Sequence, residues 1–221
     1  MGLAAALPWR GLAIALALAL LLPTGRRADA WTLAGAVGGA KSLPTPLSIE
    51  QEGFPPIELS ARYDNRPFDS PPHWMLRLSA RVEGGIWELQ YLHHKLYLSN
   101  RPAEVERFDV THGYNILTLG RAWPRGAFQL RIGVGVVIAH PESIVRGRRF
   151  GPEEGIFGLD QYLTGPAVAL GASREFRLGR RVFVAAELQV TAAHARVPIQ
   201  GGSASAPNVA LHFLLGPGFR F

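Results

Sequence analysis

Imidazoles dominate the residues able to do chemistry in this chain. His73, His93, His94, His112 and His140, with His194 similarly placed, fall near Asp64, Asp69, Asp109, Glu142 and Asp160. Imidazole beside carboxylate is the usual material of a metal site or of a general acid/base pair, because it titrates near neutrality and offers a lone pair to a cation. The spacing selects neither chemistry. No His-Glu-x-x-His motif occurs, and strict alternation puts His93 and His94 on opposite faces of a strand. The plainer alternative is a set of solvated or hydrogen-bonded imidazoles at the level of lipid headgroups. Nucleophilic chemistry has less support: there is no Cys, Gly-x-Ser-x-Gly is absent, and Ser99 and Ser143 stand at no defining distance from a His. His93, His112 and His140 are the catalytic candidates, with a divalent metal as the cofactor such a set would hold.

Lys95, Arg146, Arg148 and Arg149 form a second group. Arg grips phosphate through a two-pronged fork, and the phosphates outside an exported barrel are those of lipopolysaccharide. Lys95 is expected on the lipid side of the rim with His93 and Tyr97. A basic loop with no ligand is the alternative. Basic residues spread over both ends of an exported chain argue against nucleic acid as a partner.

The elements that must position these residues are strands. Phe128, Leu130, Ile132, Val134, Val136 and Ile138 alternate with Gln129, Arg131, Gly133, Gly135, Val137 and Ala139, an apolar face over a small or polar one. The same period recurs over 74–82, 182–191 and 207–221. Strands are expected near 31–41, 73–83, 86–98, 109–123, 127–140, 160–177, 181–197 and 207–221. Long or medium gaps alternate with the short turns Gly84-Gly85, Pro124-Arg125-Gly126 and Leu178-Gly179-Arg180. That is the pattern of an all-β fold: an eight-stranded antiparallel transmembrane β-barrel with short periplasmic turns, longer extracellular loops and a place in the bacterial outer membrane. The alternation over 57–63 is assigned to a strand above the membrane within the first long loop. Trp74, Tyr91 and Tyr114 toward the long-loop ends, and Trp87, Trp123, Phe128, Phe219 and Phe221 toward the short turns, read as two aromatic girdles.

A lumen this narrow is filled by its own side chains. Alternation sends Arg77, Arg81, Glu88, Arg131 and Glu187 inward, and the turn at Gly84-Gly85 sets Arg81 opposite Glu88, an expected ion pair. Neutralised side chains plugging the lumen are the plain reading and a proton or ion path the sharper one. Mixed signs without a single-sign ring argue against a selective pore.

Composition agrees with this picture. Only 18% of residues are charged, against about 25% in soluble domains, and the formal charge is +6. Residues 1–30 read as a secretory signal, with Arg10, the apolar run 12–22 and a small-residue exit after Pro23. An uncleaved anchor is the alternative, given Arg26 and Arg27 so near the exit. Residues 31–221 form the barrel domain, a monomer on this reading.

Four stretches occur in order: Phe68-Asp69-Ser70-Pro71-Pro72, Tyr91-Leu92-His93-His94-Lys95-Leu96-Tyr97, the run Thr111-His112-Gly113-Tyr114-Asn115-Ile116-Leu117-Thr118-Leu119, and Tyr162-Leu163-Thr164-Gly165-Pro166. Together they resemble a family of small Gram-negative outer-membrane barrels that includes lipid A oxidase-like proteins. The resemblance covers roughly residues 60–221. It implies oxidation of the proximal glucosamine of lipid A at the outer leaflet, with oxygen and a divalent metal. The positions it carries over are His93, Lys95, Asn115, Thr118, Pro166 and His140, and His112 stands where the family pattern often has an acidic residue. A terminal Phe221 preceded by alternating apolar residues resembles the signal read by the outer-membrane insertion machinery, which is thereby an expected partner.

Three functional classes follow. The first is a barrel that contacts lipopolysaccharide and oxidises lipid A, and the second a non-catalytic structural or partner-binding barrel. The third is a small pore, which requires an open lumen.

Overall fold

The computed structural model describes residues 30–151 and 161–221, apart from the side chains of Thr111 and His112. The signal segment expected over 1–30 lies outside the described residues except for Ala30, as does Asp160. In chain order the described strands are β1 (Ala30–Ser42), β2 (Thr45–Gln51), β3 (Ile57–Ala61), β4 (Tyr63–Asp64), β5 (Trp74–Val82), β6 (Gly85–His93) and β7 (Leu96–Leu98). They continue with β8 (Val105–Arg125), β9 (Phe128–Val145), β10 (Arg148–Phe150), β11 (Tyr162–Arg177), β12 (Val182–Ile199) and β13 (Gly202–Arg220).

Antiparallel pairing runs β1-β5-β6-β8-β9-β11-β12-β13 and returns from β13 to β1, so the sheet closes on itself. Closure removes unpaired edges, which hydrocarbon could not satisfy. The ring passes through eight strands and the sheet contains thirteen among the described residues, so the strand count depends on how much of the sheet beyond the ring is included. Large aliphatic and aromatic side chains girdle the ring, with Val37, Ile132, Val134, Leu170, Leu188 and Phe213 all exposed. A water-soluble domain hides such surface, and a bilayer covers it. The tight turns and both barrel ends share one side, where the Phe221 amide donates to the Trp31 carbonyl over 2.9 Å.

The wall continues past the lipid belt. At Leu43-Pro44 the first strand breaks, since Pro cannot donate to a ladder, yet β2 resumes along β13 with Ser48 opposite Ser205. β3 pairs with β2, β4 with β7, β7 with β8, and β10 with β9. Residues 57–61 and 63–64 therefore lie off the ring, in this upper storey. Segments expected as loops prove to be strand: 202–206 in β13, 105–108 in β8 and 141–145 in β9. Above the belt the outward residues become polar, as at His194 and Arg196, while Ala193, Ala195, Val197 and Ile199 still point inward. The period persists with its apolar side reversed.

The upper interior is thus apolar, an addition to the polar lumen expected from sequence. Leu47, Ile49, Phe108, Tyr114, Val197 and Ala204 belong to one buried cluster. Tyr114 departs from the expected girdle. The irregularity between Val110 and Tyr114 sets a four-residue step of β8 against a two-residue step of β9, which preserves the alternation, so Val110, Tyr114, Ile116 and Thr118 are buried on one parity, and Gly113, at φ 131°, takes the backbone conformation the bulge needs. The ring of Tyr114 turns inward and its hydroxyl donates to the Ala206 carbonyl over 3.2 Å.

Where β8 and β9 press together on the inner face, glycine is obligatory. A Cβ at Gly120 would fall on the Ile132 carbonyl oxygen, and one at Gly135 on that of Leu117. Gly120→Val is expected to lower the yield of folded barrel sharply, read as loss of the heat-modifiable band on a gel. Gly126→Ala, in the open turn between these strands, provides the comparison: its Cβ meets nothing within 4 Å, although its φ of 61° makes the change mildly strained. Equal yields for the two would contradict the close approach.

Candidate metal centre and rim

Charges fill the lower lumen. Arg77 donates both terminal nitrogens to Glu187, each over 2.7 Å, and its Nε to Gln90 Oε1 over 3.1 Å. Arg131 sits 2.7 Å from Glu187 and donates Nε to Glu88 over 3.0 Å. Gln90 in turn donates to Gln189 Oε1 over 3.1 Å. These four charges are nearly inaccessible and sum to zero, which is how a buried ionic group is tolerated. Only a void of about 10 Å³ opens beside them, between Glu88, Thr118, Arg131 and Gln189. Arg81 is not a member. The turn is centred on Glu83-Gly84, not Gly84-Gly85, so Val82 faces Gly85, Arg81 faces Ile86 and Ser79 faces Glu88. A one-residue displacement of the turn moves every partner by two.

Directly above, at the floor of the apolar storey, three imidazoles meet. His73 precedes β5, His94 follows β6 and His212 projects inward from β13, opposite Gln189. All three are buried, and one ring nitrogen of each lies within 4.8 Å of those of the other two. His73 stacks on His212 at 5.3 Å between centroids and 10° between planes, while His94 meets His212 edge-on at 5.1 Å. His73 Nε2, His94 Nδ1 and His212 Nδ1 have no hydrogen-bond partner among the described residues. The opposite edges of two rings are held: His94 Nε2 by Asn208 Oδ1 at 3.3 Å, and His212 Nε2 by Thr191 Oγ1 at 2.8 Å. Asn208 Nδ2 and Asn65 Nδ2 both donate to Ser42 Oγ over 3.0 Å. A divalent metal of the kind the family resemblance implies finds suitable nitrogen donors here, in residues other than those carried over.

The ring, the lipid-facing belt and the short-turn side bearing both barrel ends place the chain in a bacterial outer membrane. No protein-family model matches it, and no curated protein does. Among solved structures it is similar to the outer membrane protein OprG from Pseudomonas aeruginosa, at 14% identity over 89% of this chain and 98% of that one, with a TM-score of 0.42. It is also similar to the outer membrane protease OmpT from Escherichia coli, at 9% identity, coverage of 89% and 98%, and a TM-score of 0.44. E. coli Outer Membrane Protein W gives 15% identity, 90% and 100% coverage, and 0.39.

The expected catalytic set lies elsewhere. His93 points away from His94, stacks on Trp74 and shares a hydrogen bond of 2.8 Å with Asn115 Oδ1. His140 stands 3.7 Å from Glu142, which also binds Arg107 at 2.7 Å, and Arg107 holds Asp109 at 2.6 Å. The His112 side chain lies outside the described residues. Lys95 is buried although the alternation runs on in phase, with Leu92, Leu96 and Leu98 all inward, because the segment that carries Asp69 covers it. Its ammonium donates to the Asp69 carbonyl over 2.9 Å. Burial lowers its pKa below the usual lysine value, against the pull of the Asp69 carboxylate and with the help of Arg66.

Arg146 and Arg148 hold their guanidinium groups over the Phe54 ring at 4.7 and 5.1 Å, and Arg146 also donates to the Pro55 carbonyl. Arg149 is exposed and lines a rim cleft of about 260 Å³ with Arg107, Glu142, Ser143 and Phe150. The three-imidazole chamber itself escaped the sequence reading. Alternation places His94 and His212 inward, but their meeting with His73 depends on pairing across the whole ring.

Proposed function

We propose that the protein engages lipopolysaccharide at its extracellular rim and oxidises the proximal glucosamine of lipid A. One observation carries the reading: motif segments far apart in sequence converge around the imidazole chamber. Tyr114 donates its amide to the His94 carbonyl over 2.6 Å, Asn115 holds His93, Lys95 is tied to Asp69, and His73 follows Pro72 directly. A bound redox-capable metal would supply electron transfer to dioxygen. The chain's own part is to aim three imidazoles inward and to exclude water from them by the apolar storey above. The sugar loses two electrons and two protons, which dioxygen takes up as hydrogen peroxide. Arg149, exposed in its cleft, offers a guanidinium group for a lipid A phosphate.

The complete burial of the chamber favours a second reading, in which the barrel is a structural element. Mass spectra of lipid A from cells lacking and overexpressing the protein separate the two. An oxidised species that rises with expression and vanishes with His94→Ala is expected, and unchanged spectra would sink the oxidase reading.

A further inference from the structure

We propose that His73, His94 and His212 bind one late first-row transition-metal ion, copper or zinc, through His73 Nε2, His94 Nδ1 and His212 Nδ1. The inference concerns binding alone and stands whether or not the barrel acts on lipid A.

The donors are prepared for it. Asn208 Nδ2 is spent on Ser42 Oγ, so the atom facing His94 Nε2 is the carbonyl oxygen, an acceptor. The proton of His94 must then sit on Nε2, which leaves Nδ1 with its lone pair toward the chamber. Thr191 fixes the orientation of the His212 ring, and its hydroxyl can accept from Nε2–H, the tautomer that leaves the Nδ1 lone pair for an ion. Metal-bound imidazoles are oriented in this way, through the nitrogen that does not touch the ion. Without an ion, three buried ring nitrogens lie unsatisfied among the described residues, and a buried polar atom without a partner is destabilising. A cation satisfies all of them together. The adjustment is modest, because bonds of 2.0–2.1 Å at tetrahedral angles bring the nitrogens to about 3.4 Å from one another, and one ring nitrogen of each imidazole is already within 4.8 Å of the other two.

The donor set also selects the metal. Three neutral nitrogens with no oxygen ligand suit copper and zinc and not magnesium or calcium, and copper leads the series at equal geometry. The nearest lumen carboxylates do not alter this, since Glu187 is engaged by Arg77 and Arg131, and Glu88 by Arg131. Three protein ligands leave a fourth position, the number that reactive sites keep.

The test uses the folded full-length barrel in detergent, stripped with chelator and titrated calorimetrically with zinc, then with cobalt(II), whose visible absorption reports nitrogen coordination. Wild type is expected to take up about one ion per chain and to show no heat with magnesium. Asn208→Ala, which spares every ligand, should weaken zinc about tenfold or more. His94→Ala and His212→Ala should abolish binding, whereas His93→Ala and His140→Ala should retain it, each variant being checked for the heat-modifiable folded band. Folded wild type that binds no zinc overturns the proposal, as does binding that His93→Ala destroys and Asn208→Ala leaves untouched. Binding with unchanged lipid A spectra would uphold it while removing the oxidase reading.

Discussion

Glu187→Ala should cost the barrel about 3–5 kcal/mol of stability. The carboxylate answers two guanidinium groups at once, both arms of Arg77 at 2.7 Å and Arg131 at 2.7 Å, with its side chain 2% exposed. Its loss leaves two buried cations against Glu88 alone, with a void of only about 10 Å³ beside them. Surface ion pairs set the contrast. Arg196–Glu50 spans 3.3 Å between side chains that are 67% and 66% exposed, so Glu50→Ala should change stability by less than about 1 kcal/mol. Replacing both Arg77 and Glu187 by Met removes one charge of each sign and should recover most of the loss, because Arg131 and Glu88 remain matched. Urea unfolding in lipid vesicles, followed by tryptophan fluorescence, gives all three values. Near-equal losses for Glu187→Ala and Glu50→Ala would show that the network is solvated.

Val134→Arg ranks next, with an expected loss of about 2–4 kcal/mol. Val134 is 61% exposed on β9, and residues of its parity from Phe128 to Ile138 line the outer wall on both sides of it. A guanidinium there would face the hydrocarbon midplane. Val182 is also exposed but begins β12 beside the short turn, so Val182→Arg should cost no more than about 1 kcal/mol. The depth dependence is the diagnostic quantity: a soluble barrel with an incidental apolar surface would tolerate both arginines alike.

The sequence reveals the lipid belt because one physical constraint, alternation at period two against hydrocarbon, acts on every ring strand. Above the belt the same period continues with polar residues outside, so 202–206 and 141–145 resemble loops although they are strand. Local counting also fails at the turns. Gly84-Gly85 suggests its own turn centre, yet pairing begins at Gly85 itself, which exchanges Arg81 for Ser79 opposite Glu88. For the imidazoles the legible part was the opposed facing of His93 and His94. What brings His94 to His212 is ring closure, and what brings His73 in is the segment entering β5. Neither leaves a periodic trace. The motif stretches carry information of another kind, since their convergence on the chamber appears only after folding.

The dual pairing of β13 bears on how the molecule is made. Its lower half zips to β1 from Ser42–Ala210 down to Thr32–Arg220, and its upper half zips to β2 from Ser48–Ser205 to Gln51–Gly202. His212 rides on the same strand, opposite Ala40 near the top of the lower zipper. A chain without β13 would therefore lack the hoop in the bilayer, the storey over it and one of the three chamber imidazoles. Chamber and wall are thereby completed by one strand: neither can be finished without the other.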